Sequence, residues 1–178
     1  MDTGELLAVG WPDRVAMRRG EAGRFLMRNG RGVMVDRLDS LAHADWIVAV
    51  SVDDAGRDGR LLLGASLARD SAAALVEHQG SVSTVVEWDD SVGAVVSRRE
   101  QRLGSIVVSD MRLNEADDEA VLDALLRGIR FRGIASLPFA EGTFRLRERM
   151  AFLHHHLEGW PDLSDQRLVD TLEEWLGP

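Results

Sequence analysis

The chain has 178 residues, 45% of them hydrophobic and 29% charged, with a formal net charge of −9. That length allows one domain or two small ones with a real core. It contains no cysteine, which excludes disulfides and thiolate metal sites, and no lysine, which excludes a Walker phosphate loop and a lysine Schiff base.

No run of 18 apolar residues exists, so no membrane-spanning helix is expected. The N-terminus MDTGELLAVG lacks the basic start and long apolar stretch of a signal peptide, which makes a cytoplasmic location the expectation. The acidic total argues against indiscriminate nucleic-acid binding. The charge is uneven, however. Residues 10–37 hold seven arginines against three acids, a net +4, whereas residues 40–97 hold three arginines against nine acids, a net −6.

In chain order, residues 3–9 read as the last turns of a helix ended by Gly10 and Pro12, as if a longer polypeptide began upstream. RVAMRR, RFLMRN and GVMVD follow as three short strands, with Gly20, Gly23, Gly30 and Gly32 in the turns. Alternation predicts Val15, Met17, Phe25 and Met27 on a core face, with Arg14, Ala16 and Arg18 opposite them in the first strand and Arg24, Leu26 and Arg28 in the second. A short helical or irregular connection over 37–45 leads to the apolar strand WIVAVSVDD, an AGRDG turn and the strand RLLLGASL. Five short strands with their one long connection between the third and fourth fit a small OB-type barrel, with an SH3-like barrel or open meander as alternatives.

Residues 70–78 read as a helix capped by Asp70 or Ser71, followed by a hairpin over 83–101 and a strand over 105–113. Three helices close the chain. The first has Asn114 as its expected N-cap, acids in its first turn, arginines in its last turn and Gly133 beyond, with Val121, Leu122, Leu125 and Ile129 as its buried stripe. The second, about 143–157, is expected to bury Leu146, Met150, Leu153 and Leu157, and the third, from Ser164, Leu168, Leu172, Trp175 and Leu176. The fold class expected is α+β: an N-terminal OB-like antiparallel β-barrel over 1–80, then a β-hairpin and a three-helix C-terminal extension over 81–178.

The arginines Arg14, Arg18, Arg19, Arg24, Arg28 and Arg31 are the candidate nucleic-acid contacts, set against a solvated face of internal salt bridges. Phe25, the one aromatic in these strands, is expected in the core, so a stacking platform is weak. His154, His155 and His156 are neighbours on a helix and point different ways, so no metal site is expected. The acidic pairs Asp53-Asp54, Asp89-Asp90 and Asp117-Asp118 suit turns and a helix start, and no serine has a nucleophile context. No catalytic residue is predicted. Trp46, Trp88, Trp160 and Trp175 are expected as core anchors.

The run PDRVAMRRGEAGRFLMRNGRGVMV at 12–35 resembles the start of the C-terminal region of the bacterial ATP-dependent helicases of the HrpB family, in the wider DEAH-box group. ADWIVAVSVDD at 44–54 is similar to a strand of the DEAH-box OB-fold domain, and the segments at 85–110 and 159–176 resemble the HrpB-specific C-terminal extension. The resemblance implies an accessory region of a superfamily 2 RNA helicase, packed against or regulating the motor domains of the same polypeptide. It implies contact with single-stranded RNA or DNA, with Arg14, Arg24, Arg28 and Arg31 matching the family pattern. ATP and magnesium would belong to the parent helicase, with no cofactor and no catalysis here. A monomer with no membrane contact is expected. The alternative is a protein–protein adaptor without nucleic-acid affinity.

Overall fold

The computed structural model describes residues 2–53 and 58–177. The predicted AGRDG turn falls largely on 55–57, and Asp54 of the first acidic pair precedes it; both lie outside the described residues. The chain divides into two compact units, residues 1–84 with 99–111, and residues 85–98 with 112–178.

The first unit opens with helix α1 (Thr3–Gly10). Asp2 and Glu5 form a reciprocal capping box there, each side chain accepting the other's backbone N–H at 2.8 Å. Strands β1 (Val15–Arg18), β2 (Arg24–Met27), β3 (Gly32–Met34), β4 (Trp46–Val52) and β5 (Asp58–Ser66) close into a barrel in the order β1-β2-β3-β5-β4, with β4 pairing back to β1. The β3–β5 pair is parallel and the others are antiparallel. The expected five-stranded barrel is thus present and closed, with one parallel seam that alternation within single strands cannot reveal. Between β3 and β4 the chain makes one short 3-10 turn, Ser40–His43, where Asp39 caps Leu41.

The barrel interior is filled by Ala16, Phe25, Met27, Val33, Val35, Ala42, Ile47 and Ala49. A second core lies outside the wall. Val15, Trp46 and Val48 there meet α1, helix α2 (Arg69–Gln79) and residues Leu103 and Ile106. This corrects the expected faces of β1. Ala16, expected opposite the core, is fully buried in the barrel, whereas Val15 is buried on the other side. A strand covered on both faces loses the simple alternation that signals a half-buried one. In β2 the expectation holds, with Phe25 and Met27 inside. α2 has no side-chain cap: its N-cap is Ala68, and Asp70 and Ser71 lie within the first turn.

Strands β6 (Ser81–Asp89), β7 (Ala94–Leu103) and β8 (Ile106–Leu113) form a separate sheet in that order. In the second unit helix α3 (Asp118–Arg132) follows. Its N-cap is Asp117, which accepts from Ala120 N, and not the expected Asn114, because β8 runs on to Leu113 and leaves 114–116 as linker. Gly133, at φ 82°, ends it as expected. Gly128 lies under the Trp88 indole, where a Cβ would stand 2.3 Å from Trp88 Cδ2.

The core of this unit is Leu126, Ile129, Ile134 and Leu172, with Leu122, Leu125, Leu168 and Leu176 partly buried against it. Helix α4 (Glu141–His156) buries no residue completely. Met150 and Leu153 are half-buried, but Leu146 and Leu157, expected inside, are exposed, as are Phe144 and Phe152. Leu146 and Leu157 share a helical face with Met150 and Leu153, but that face is covered only in part. The expected third helix is two, α5 (Asp165–Asp170) and α6 (Leu172–Leu176), broken at Thr171. Trp160 and Trp175, expected as core anchors, are 41% and 37% exposed. The Trp175 indole N–H donates to the Leu168 carbonyl at 2.9 Å, so its polar edge is held locally.

Candidate nucleic-acid interface

The arginines of the basic segment do not form one face. Arg14 Nη1 donates to the Val50 carbonyl at 2.7 Å. Arg18 Nη2 pairs with Asp45 Oδ1 at 2.7 Å, and Arg69 of α2 takes the other oxygen of the same carboxylate, also at 2.7 Å. The Arg69 and Arg18 guanidiniums, in that order, hold the Asp45 carboxyl below its ordinary range. Arg28 turns to α2 and donates to Gln79 Oε1 at 2.6 Å. Arg31 reaches the Asp53 carbonyl at 2.9 Å. Arg37 pairs with Glu21.

Arg19 and Arg24 do come together. With Gly20, Glu21 and Asp58 they line an open cleft of about 580 Å³. Arg24 is exposed; its backbone pairs with Arg19 and Glu21, but no hydrogen bond or ion pair ties its guanidinium among the described residues. Register explains its setting. Arg24 lies opposite Met34 on β3, and Met34 lies opposite Arg60 on β5. All three side chains are exposed, because Phe25 and Val33 beside them point into the barrel. The outer wall of β2, β3 and β5 therefore carries a row of cation, thioether and cation.

Two residues along, on the same face, Leu26, Gly32 and Asp58 align. Arg19 crosses the wall at the bare glycine. Its Nη2 lies 2.9 Å from both oxygens of Asp58. Arg60 is only loosely tied, 3.9 Å from Asp36. A second open cleft beside it is lined by Met34, Val35, Asp36, Asp53, Asp58 and Arg60.

Arg60 and Met34 were not among the expected site residues. Alternation along β5 points Arg60 outward, but only the parallel pairing with β3 sets it beside Met34. The wall carries no exposed aromatic side chain; Phe25 is fully buried. It can offer charge and a small apolar surface, with no platform for bases.

Elsewhere, the histidine run sits at the end of α4. His154 Nδ1 lies 2.7 Å from the Trp160 carbonyl, and the rings of His155 and His156 meet edge to face. Among the described residues, no group of three or more His, Cys, Asp or Glu could hold a metal ion, and no helix is long and apolar enough to cross a membrane.

Comparison with known proteins puts these observations in a family context. The family model for the connector region of the ATP-dependent RNA helicase HrpB matches residues 80–113, the stretch that forms β6, β7 and β8. The ATP-dependent RNA helicase HrpB of Escherichia coli K12 is 32% identical over 97% of this chain and 22% of its own length. The crystal structure of the E. coli DExH-box NTPase HrpB superposes with a TM-score of 0.58 at 31% identity, covering 98% of this chain and 22% of that one. A second crystal structure, of the E. coli DEAH/RHA helicase HrpB, gives 0.51 at 28% identity, over 97% and 22%. The chain thus spans about a fifth of the relatives it matches. Over nearly its whole length it is similar to the C-terminal region of HrpB, and its architecture is likewise mixed α+β.

Proposed function

We propose that this relative of the C-terminal region of HrpB is the accessory part of an ATP-dependent RNA helicase, and that its barrel contacts single-stranded nucleic acid. The contact surface is the outer wall of β2, β3 and β5, with Arg24, Arg60 and Arg19 as the phosphate ligands. One observation carries the reading: Arg24 stands exposed and unpartnered, in register with Arg60, on the wall that OB-type barrels use for oligonucleotides. Arginine forks suit phosphate oxygens. With no aromatic on the wall, contact is to the backbone and carries no base readout. Arg14, Arg18, Arg28 and Arg31, tied to partners elsewhere in the unit, serve the fold under this reading. ATP and magnesium belong to the motor portion of such a helicase, since a chain without lysine cannot build a Walker loop. A cytoplasmic location goes with this role.

The test is fluorescence anisotropy of a labelled single-stranded RNA, titrated at about 50 and 200 mM salt, the range over which phosphate contacts weaken steeply. Saturable binding that falls with salt is expected, and Arg24→Glu with Arg60→Glu should abolish it while leaving the melting temperature unchanged. Equal affinity in the double variant would remove this wall from the site.

A second reading rests on α4. Phe144, Leu146, Phe152 and Leu157 are exposed along it, which suits packing against the motor portion of the same polypeptide. Absence of RNA binding at low salt, with capture of separately expressed motor domains, would favour that role.

A further inference from the structure

The Arg19–Asp58 pair spans the very wall on which phosphate is read. Asp58 presents both carboxylate oxygens to one guanidinium nitrogen, each at 2.9 Å. Two anionic oxygens on one guanidinium are also what a phosphate group can present. The pair exists because position 32 has no side chain. A Cβ at Gly32 would stand 1.8 Å from Asp58 Oδ1 and 2.7 Å from Arg19 Nη2. The backbone there has no positive φ, so the glycine serves space and not conformation. A bare spot in mid-wall, a cation laid across it and an acid waiting beyond it are three coincident features.

We infer that Asp58 is an internal stand-in for phosphate, a latch that holds Arg19 in a closed state and sets the affinity of the wall for a polyanion. The inference rests on the reading of the β2–β3–β5 wall as a phosphate-binding surface, and adds how that surface is regulated. An incoming strand meets Arg24 first, because Arg24 is free. To recruit Arg19 it must displace a carboxylate of the same charge. The exchange is feasible because the pair is partly exposed, with Arg19 at 45% and Asp58 at 24%, and ion pairs in such settings are weak. Latched, the wall offers a strand Arg24 and loosely held Arg60. Unlatched, it offers Arg19 as well, on the same cleft as Arg24.

Variants of the full chain test this, with a fluorescein-labelled oligouridylate of about 20 nucleotides, longer than one OB-type site. Asp58→Asn should raise affinity about two- to fivefold at low salt, the weight of a partly exposed ion pair. It should also steepen the slope of log K against log salt by about 0.7, one more phosphate contact on a single strand. Because Asp58→Asn also removes a negative charge, the same titration is made with Arg19→Gln added. The gain should vanish in that background; a gain that persists would reflect net charge alone and overturn the latch. Gly32→Ala changes no charge and displaces the Asp58 carboxyl and the Arg19 guanidinium, so it should reproduce the gain. Its fold is checked by circular dichroism, and if it does not fold the Asp58→Asn and Arg19→Gln pair decides. The two layers separate cleanly. If Arg24→Glu fails to weaken binding, the wall is not the site. If Arg24→Glu weakens binding and Asp58→Asn leaves affinity and salt slope unchanged, the latch alone is wrong.

Discussion

Asp45 shows how one residue can organise a neighbourhood. It precedes β4 and gives one carboxylate oxygen to Arg18 at the end of β1 and the other to Arg69 at the start of α2. Its carboxyl is held below the ordinary range by Arg69 first and Arg18 second. The sign of the pH effect follows. The stabilisation is present above the unfolded carboxylate value of about 3.9 and is lost as pH falls through the lower folded value. Asp45→Asn should therefore lower the melting temperature at neutral pH, and the gap from the parent protein should close below about pH 4. A gap that stayed constant into acid would mean that the carboxylate charge contributes nothing. The ties of Arg18 and Arg19 also show why sequence could not sort the basic segment. Arg18 pairs 27 residues away and Arg19 pairs 39 residues away, distances over which no local pattern identifies a partner. Arg24 is distinguished only by what fails to reach it.

At the level of elements, strand positions were legible and strand faces only partly so. Glycine turns and β-branched runs located β1 to β5 closely. The alternation in β2 placed Phe25 and Met27 inside correctly, since that strand has one face on the barrel core and the other open at Arg24. In β1 the same rule inverted Ala16, because α1, α2 and residues Leu103 and Ile106 cover the strand's outer face. The start of α3 gives a sharp comparison. Asp117, not Asn114, accepts the N–H of Ala120. Asp117→Ala should cost about 1 kcal/mol in chemical denaturation, the usual weight of an N-cap, whereas Asn114→Ala should cost less than about 0.5 kcal/mol. Equal losses from both would move the cap into the linker. In α4 the heptad-like spacing of leucines was read as a buried stripe. Spacing identifies which residues share a face, but not whether another element arrives to cover it, and Leu146 and Leu157 stay exposed.

For the molecule as a whole, two units carry separate cores. The barrel and its outer cluster serve the first, and Leu126, Ile129, Ile134 and Leu172 serve the second. The outer wall of β2, β3 and β5 belongs entirely to the first unit. Gly128 belongs to the second, where the Trp88 ring lies against it. The atoms nearest that position belong to the Trp88 ring, which cannot swing aside as a flexible chain end would. Gly128→Ala should therefore destabilise by about 1–3 kcal/mol through overpacking, against the roughly 1 kcal/mol that alanine gains over glycine in a helix. RNA affinity measured by anisotropy below the transition should stay within error. Loss of binding in a variant that is still folded would tie the two units together in function.

Composition and pattern by themselves determined the chemistry that is absent: a chain with no lysine and no cysteine has no Walker loop and no thiolate site wherever it folds. They also determined the order of elements, because glycine turns and apolar periodicity are local properties of the backbone and side chains. The resemblance to HrpB helicases lay in short runs that could be read directly. Tertiary structure alone decided the parallel β3–β5 seam, and with it the row of Arg24, Met34 and Arg60. It decided which arginines of the basic segment are tied, and it put Asp58 across Gly32 from Arg19. The physical reason is the same in each case. Register and ion pairing join residues far apart in the chain, and their geometry exists only once the barrel has closed.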